Sequence, residues 1–130
     1  IALHAHTFLL TGLATLLFAV IYALVPMLTK LEIRSKRLVD VHLWLWLAGC
    51  VLMTYVMGRA GLQGMLRRTL YETPNQFQPY TLAAIIGALL IALGFVAFLV
   101  NIVGTLGWTN VLSLVVPDRW LEKRRAAAEA

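Results

Sequence analysis

The sequence predicts an all-α integral membrane protein with three membrane-spanning helices. Of its 130 residues, 61% are hydrophobic and only 13% are charged. Three apolar runs, at residues 2–28, 41–66 and 80–106, each reach the roughly 20 residues that a helix needs to cross a bilayer. Because no soluble domain, internal repeat or linker separates these runs, we expect one membrane domain over residues 1–130.

The positions of the basic residues predict the orientation of the spans. A formal net charge of +5 would suggest nucleic acid in a soluble protein, but here the basic residues fill the first loop and the tail. With three spans these two segments share one side, which the positive-inside rule places in the cytoplasm. We therefore predict a multi-pass protein of the cell membrane, surrounded by lipid, with a cytoplasmic tail at residues 117–130 and no nucleic-acid partner. The start of the first helix and the second loop then face outward.

The second predicted helix begins with His42, Trp44 and Trp46. At this inner boundary the two indole rings are typical of an interfacial aromatic belt. We interpret His42 as a capping or interfacial histidine, with a proton-entry group as the alternative. Cys50 lies in the middle of the span, and we expect it to be a buried structural residue.

The third predicted helix carries small residues in a regular row. Ala84, Ala88 and Ala92 recur at four-residue spacing, with Gly87 and Gly94 close by. Small residues let helix backbones approach one another, so we predict that this row is a packing face. Apolar residues nevertheless surround each helix, which indicates that the three helices belong to a larger bundle.

The most informative polar residues are a histidine pair, His4 and His6, at the start of the first span. Successive residues of an α-helix are rotated by about 100°, so these side chains leave the helix about 200° apart. They cannot bind one metal ion together, but each can bind a separate centre on its own side. A haem iron is a fitting target because one axial imidazole holds it. The alternative is a pair of interfacial histidines.

Two adjacent arginines, Arg67 and Arg68, follow the outer end of the second helix, contrary to the positive-inside rule. Guanidinium groups bind carboxylates through paired, charge-assisted hydrogen bonds. Haem propionates near the histidine pair would supply such carboxylates. The alternative is two solvated loop arginines.

In their order and spacing these motifs resemble the C-terminal three helices of the catalytic subunit of haem-copper oxidases and of the related nitric oxide reductases. Residues 3–6, Leu-His-Ala-His, look like the family's His-x-His motif, and residues 64–68, Gly-Met-Leu-Arg-Arg, look like its Gly-Met-Pro-Arg-Arg loop. Leu66 stands where many oxidases have proline. Residues 41–45 and 63–65 are also similar to the cbb-type branch. The resemblance covers residues 1 to about 106.

The resemblance implies a role for each of the four polar residues. His4 would be the axial ligand of a high-spin haem where the gas molecule binds, and His6 one of two axial ligands of a low-spin haem. Arg67 and Arg68 would contact the propionates of these haems. The type of haem is left open.

The family places its copper ligands, or the non-haem iron ligands of nitric oxide reductases, on helices that precede these three. The resemblance therefore implies an oxidoreductase that acts only with another chain, because that chain must supply the remaining ligands. This sequence would be one piece of a split subunit or a fragment of a longer one. Its partners would be the remainder of the catalytic subunit, other oxidase subunits and a cytochrome or quinol electron donor.

The implied reaction is the reduction of oxygen to water in a respiratory chain, coupled to proton transport. Three other functions remain open from the sequence. The chain could be part of a nitric oxide reductase, a haem-b membrane anchor of a quinone-linked dehydrogenase, or a packing subunit without a cofactor.

Overall fold

A computed structural model of the protein describes residues 7–66, 75–108 and 110–111. Within these residues the chain forms three long helices and no strand. The helical stretches Thr7–Thr29, Lys36–Leu62 and Gln78–Leu106 are all long and apolar enough to cross a membrane. The predicted all-α membrane class is confirmed.

The first helix has two parts that differ in their winding. A π-helical segment, Thr7–Ala14, leads directly into an α-helix, α1, at Thr15–Thr29. Lys30 then ends α1 in the left-handed conformation, with φ of 60°, and its N–H donates to the Pro26 carbonyl at 3.0 Å. The predicted end at residue 28 is therefore accurate to one residue, while the predicted start at residue 2 lies outside the described residues.

The second helix, α2, spans Lys36–Leu62 rather than the predicted 41–66. It begins earlier because Ser35 is an effective N-cap: its hydroxyl oxygen accepts a hydrogen bond from the Leu38 N–H at 3.2 Å. It ends earlier because Gly64 has a φ of +91°, a conformation that glycine adopts without strain. A search for apolar runs cannot detect the first turn of α2, because this turn is helical but polar.

The third helix, α3, spans Gln78–Leu106, close to the predicted 80–106. Pro79 lies in its first turn, where a missing N–H costs no helical hydrogen bond. Gly107, with φ of 82°, follows its last residue, and its N–H donates to the Val103 carbonyl at 2.9 Å. The predicted tail at residues 117–130 lies outside the described residues.

The antiparallel helices α2 and α3 pack through residues that recur every seven positions. Their buried residues include His42, Gly49 and Val56 on α2 and Gly87, Gly94 and Asn101 on α3. A Cβ atom built on Gly49 would lie 2.6 Å from the Gly87 carbonyl oxygen, so the two backbones are in direct contact. A sevenfold repeat with glycine at the contact is the arrangement that lets two membrane helices approach closely.

The predicted packing face of the third helix meets α2 through its two glycines. Ala88 and Ala92 are exposed, whereas Gly87 and Gly94 are buried against α2. A strict four-residue row drifts around a helix of 3.6 residues per turn, so it cannot follow a partner helix over several turns. Alternating steps of three and four residues can, and these steps connect Gly87, Ile91, Gly94 and Phe98.

The first helix joins the α2–α3 pair through an aromatic cluster, which consists of Phe18, Tyr22, His42, Trp46, Phe95 and Phe98. The Phe18 ring lies at its centre, with ring-centroid distances of 4.6 Å to His42, 4.8 Å to Trp46 and 4.7 Å to Phe98. The contacts with His42 and Trp46 are edge-to-face, the arrangement that aromatic quadrupoles favour. One buried side chain thus contacts both other helices.

Trp44 and Trp46 do not form one aromatic belt. Trp44 is 75% exposed, as an interfacial residue should be, but Trp46 is 5% exposed and belongs to the aromatic cluster. Two residues apart on a helix, the rings point to opposite faces, so only one of them can face the surroundings. Cys50 is fully buried, which confirms its predicted structural character.

Candidate functional site

The four residues predicted to bind the cofactors lie outside the described residues. His4 and His6 precede Thr7, and Arg67 and Arg68 follow Leu66. Their assignment therefore stays a prediction. The structure does describe the segments that adjoin them, namely the π-helical segment after the histidines and the end of α2 before the arginines.

The two adjoining segments point to the same end of the bundle. Leu10 contacts Trp46, whereas Tyr22, one helical stretch later, contacts His42. The first helix therefore runs antiparallel to α2, so Thr7, its first described residue, lies toward the end of the bundle where α2 finishes at Leu62. That the histidine pair and the arginine pair share one side of the membrane stays a prediction.

The π-helical segment is held to α2 by a hydrogen bond from an indole ring. The Trp46 Nε1–H donates to the Leu10 carbonyl oxygen at 3.2 Å. The Thr15 hydroxyl donates to the same oxygen at 3.5 Å, so it bonds to the backbone of its own helix. Short π-helical stretches inside helices are frequent at functional sites, and this one directly follows the predicted ligands.

One side of this segment is not covered by any other described residue. Phe8 is 70% exposed and Leu9 is 51% exposed, and a Cβ atom on Gly12 would meet only a backbone oxygen of its own helix. Apolar surface of this kind suits contact with an apolar macrocycle or with further helices, since both remove it from lipid without leaving polar groups unpaired.

His42 is not the interfacial or capping residue that the sequence predicts. It is fully buried, and the rings of Phe18, Tyr22, Trp46 and Phe98 surround it. The earlier start of α2 explains the difference, because six residues of helix, 36–41, precede His42 and carry it into the bundle. Its role as a proton-entry group stays a prediction.

The polar atoms of His42 differ in their surroundings. The Tyr22 hydroxyl and Nδ1 are joined by a hydrogen bond of 3.4 Å, whereas the buried Nε2 has no hydrogen-bond partner within the described residues. The Asn101 side chain also interacts with the Tyr22 hydroxyl. The sequence analysis named neither Tyr22 nor Asn101 as a functional residue, although a lone amide in a long apolar span is a signal of a buried polar contact.

Among the described residues, no group of three or more histidine, cysteine or acidic side chains could hold a metal ion. His42, the histidine in this part of the chain, does not fit as an axial ligand, since aromatic rings occupy the space that a macrocycle would need. His4 and His6, the two imidazoles that the sequence predicts as haem ligands, lie outside the described residues.

Comparison with known proteins identifies the family. A family model described as cytochrome c and quinol oxidase polypeptide I matches residues 1–90. Cytochrome c oxidase subunit 1 of Thermostichus vulcanus is 36% identical over 100 residues, which cover 77% of this chain but 18% of that relative. The chain thus spans less than a fifth of the length of the curated relative that it matches, and no solved structure matches it. The chain belongs to the cytochrome c and quinol oxidase polypeptide I family.

Proposed function

We propose that this chain is the C-terminal part of a haem-copper oxidase catalytic subunit, which reduces oxygen to water in a respiratory chain. The observation that carries the proposal is the extent of the family match, because residues 1–90 include both histidines and both arginines of the predicted site. The described helices support it with three spans of membrane length. The activity belongs to the assembled enzyme, in which another chain supplies copper, the remaining ligands and contact with a cytochrome or quinol donor.

The histidine pair would suit two haems, because side chains two residues apart on an α-helix are expected to leave it on opposite faces. We assign His4 to the iron of the high-spin haem and His6 to that of the low-spin haem. When bound, the haems supply electron transfer and a place for oxygen to bind. This chain contributes two imidazoles at a fixed separation along one backbone, which keeps the two sites close together.

The arginine pair provides the charge that propionates require. In sequence, Arg67 and Arg68 follow the end of α2 at Leu62, and Leu62 lies at the end of the bundle toward which Thr7 begins the described first helix. Two guanidinium groups at this level would orient the carboxylates through bidentate hydrogen bonds, and they would offset negative charge in a medium of low polarity. We place this end at the outer side of the cell membrane, with the basic first loop in the cytoplasm.

The contacts of the first helix would keep the histidines in position. The Trp46–Leu10 hydrogen bond, the Tyr22–His42 hydrogen bond and the packing of Phe18 fix this helix against α2 at several heights. Side chains that ligate metals need such support, because small displacements of the backbone change the geometry at the iron.

Difference spectra of the assembled complex test the assignment. Reduced-minus-oxidised spectra, with and without carbon monoxide, would be recorded for the native complex and for the variants His4→Ala and His6→Ala. We expect His4→Ala to lose the carbon-monoxide-sensitive high-spin signal and His6→Ala to lose the low-spin signal. Leu16→Ala is the control, since it shortens an exposed side chain of the first helix that takes no part in the supporting contacts among the described residues.

Two results would overturn the proposal. If His4→Ala and His6→Ala both retain the two haem signals, neither histidine is a ligand. If Leu16→Ala removes a haem signal as completely as they do, the loss reflects misassembly rather than loss of a specific ligand.

A further inference from the structure

The end of the bundle opposite to the predicted cofactor site carries a group of unpaired cations. Lys30, Arg34, Lys36 and Arg37 lie in the first loop and the first turn of α2, and all four are exposed. None of them forms an ion pair with another described residue, although Glu32 and Asp40 are near in sequence. Their charge is therefore available to a negatively charged partner.

The loop that carries these cations is fixed to the interior of the bundle. The Arg34 N–H donates to the Thr105 hydroxyl oxygen at 3.0 Å, and the Ser35 N–H donates to the Asn101 side-chain oxygen at 3.1 Å. The Asn101 amide in turn donates to the Ser35 carbonyl at 2.9 Å. Three hydrogen bonds to α3 therefore hold two consecutive residues, so the backbone of Arg34 is held in place.

The Arg34 side chain lies in a notch that exists because residue 104 is glycine. A Cβ atom at Gly104 would lie 2.8 Å from Arg34 Cδ and 2.9 Å from its Nη1. Any larger residue would displace the guanidinium group from α3. The position of this charge is thus set both by its backbone hydrogen bond and by the absence of a side chain on the facing helix.

An exposed apolar strip extends from the notch toward the middle of the membrane. Val100 and Leu93 lie within about 40° of Gly104 around the axis of α3, since residues four or eleven positions apart fall on one helix face. Val100 is 55% exposed and Leu93 is 57% exposed. A positive charge at the end of a membrane-length helix therefore lies above an apolar surface that no other described residue covers.

We propose that Arg34, seated at Gly104, binds the phosphate of an anionic phospholipid whose acyl chain lies along Val100 and Leu93. Guanidinium groups bind phosphate through two parallel hydrogen bonds, and basic pockets beside membrane helices attract anionic headgroups. Lys36 and Arg37 add to the attraction at the same membrane boundary. The apolar strip favours a lipid over a free phosphate ion, because a free ion would gain nothing from it. This inference does not depend on the proposed redox function.

Native mass spectrometry of the assembled complex tests the proposal. The complex would be delipidated in detergent and titrated with phosphatidylglycerol or with phosphatidylcholine. We expect one tightly retained phosphatidylglycerol in the native complex and a loss of about tenfold in its affinity in Arg34→Gln, the size expected when one charge-assisted pair is removed. Arg59→Gln is the matched control, because Arg59 is an exposed arginine in the last turn of α2, at the opposite end of the helix that follows Arg34.

A second variant separates the position of the charge from its presence. Gly104→Leu keeps Arg34 but fills the notch, and we expect the same loss of phosphatidylglycerol as in Arg34→Gln. Three results would each overturn the proposal: equal retention in Arg34→Gln and the native complex, equal affinity for phosphatidylcholine, or displacement of the lipid by inorganic phosphate. Loss of the lipid in Arg59→Gln to the same degree would also do so, because the effect would not be local.

Discussion

Asn101 and Ser35 are joined by two hydrogen bonds, so a buried side chain of the third helix holds the backbone that begins the second. The Asn101 Nδ2 donates to the Ser35 carbonyl at 2.9 Å, and its Oδ1 accepts from the Ser35 N–H at 3.1 Å. Asn101 has no exposed surface, and Ser35 is the N-cap of α2. One amide therefore satisfies both backbone polar groups of a residue at a helix boundary.

Replacing Asn101 should destabilise the protein because it leaves the Ser35 N–H without its partner and leaves the Ser35 carbonyl only the longer hydrogen bond from the Val39 N–H, at 3.4 Å. For Asn101→Leu we expect a loss of about 1–3 kcal/mol in the free energy of unfolding, the range for a buried polar group left unpaired. The unfolding midpoint of the assembled complex in detergent, followed by intrinsic fluorescence, measures it. Gln63→Ala, an exposed amide after α2, should change little. Equal midpoints for the two variants would contradict the structural role of Asn101.

A single methyl group at Gly49 should force α2 and α3 apart. The added Cβ would lie 2.6 Å from the Gly87 carbonyl oxygen and 2.8 Å from the Ile91 nitrogen, and neither backbone atom can move alone. We expect Gly49→Ala to cost about 1–3 kcal/mol or more, as overpacked cores do. Recovery of assembled complex by size-exclusion chromatography and its thermal midpoint check the change.

Gly61→Ala is the control for that experiment. No atom lies within 4 Å of the position of its Cβ, and Gly61 lies in the last turn of the same helix. This variant should assemble normally, because alanine is the better helix former. A comparable defect in both glycine variants would show that the α2–α3 contact is not the cause.

Trp46→Phe should loosen the π-helical segment without emptying the aromatic cluster. Phenylalanine keeps most of the packing against Phe18 but cannot donate to the Leu10 carbonyl, which costs about 0.5–1.5 kcal/mol for one hydrogen bond. Hydrogen–deuterium exchange should therefore be faster in a peptide that covers residues 7–14. In Trp44→Phe, which alters an indole that is 75% exposed, exchange in this peptide should stay at the native rate. An unchanged rate in Trp46→Phe would mean that the indole N–H does not hold the segment.

Phe18 should be the most sensitive residue of the first helix. Phe18→Ala removes a ring that is 7% exposed and that touches both other helices, and a buried phenylalanine truncated to alanine typically costs about 3–5 kcal/mol. Phe18→Leu, which retains most of the volume, should lose less. Thermal midpoints of both variants would be compared with Leu16→Ala, whose side chain is 61% exposed within this chain. If Leu16→Ala is as destabilising as Phe18→Ala, the aromatic cluster is not what secures this helix.

The positions at which sequence reasoning failed share a physical cause. The first turn of α2 is polar and escaped a search for apolar runs, yet the Ser35 cap makes it helical. That shift carries His42 from the membrane boundary into the aromatic cluster. Residue size alone predicted that the alanine row of the third helix belongs to a packing face. Contact between two helices follows a seven-residue repeat, and this repeat places Gly87 and Gly94 against α2.

The sequence by itself determined the class of this protein, the number of its spans and the family resemblance that the comparisons bear out. These properties depend on run lengths, hydropathy and short motifs, all of which are local along the chain. Only the tertiary structure decided that Trp46 donates a hydrogen bond to Leu10 and that the Asn101 side chain accepts one from Ser35. It also decided that the Arg34 side chain packs against Gly104. Each of these contacts joins residues far apart in sequence, and it arises from how two helices are rotated against each other, a relationship that no local pattern encodes.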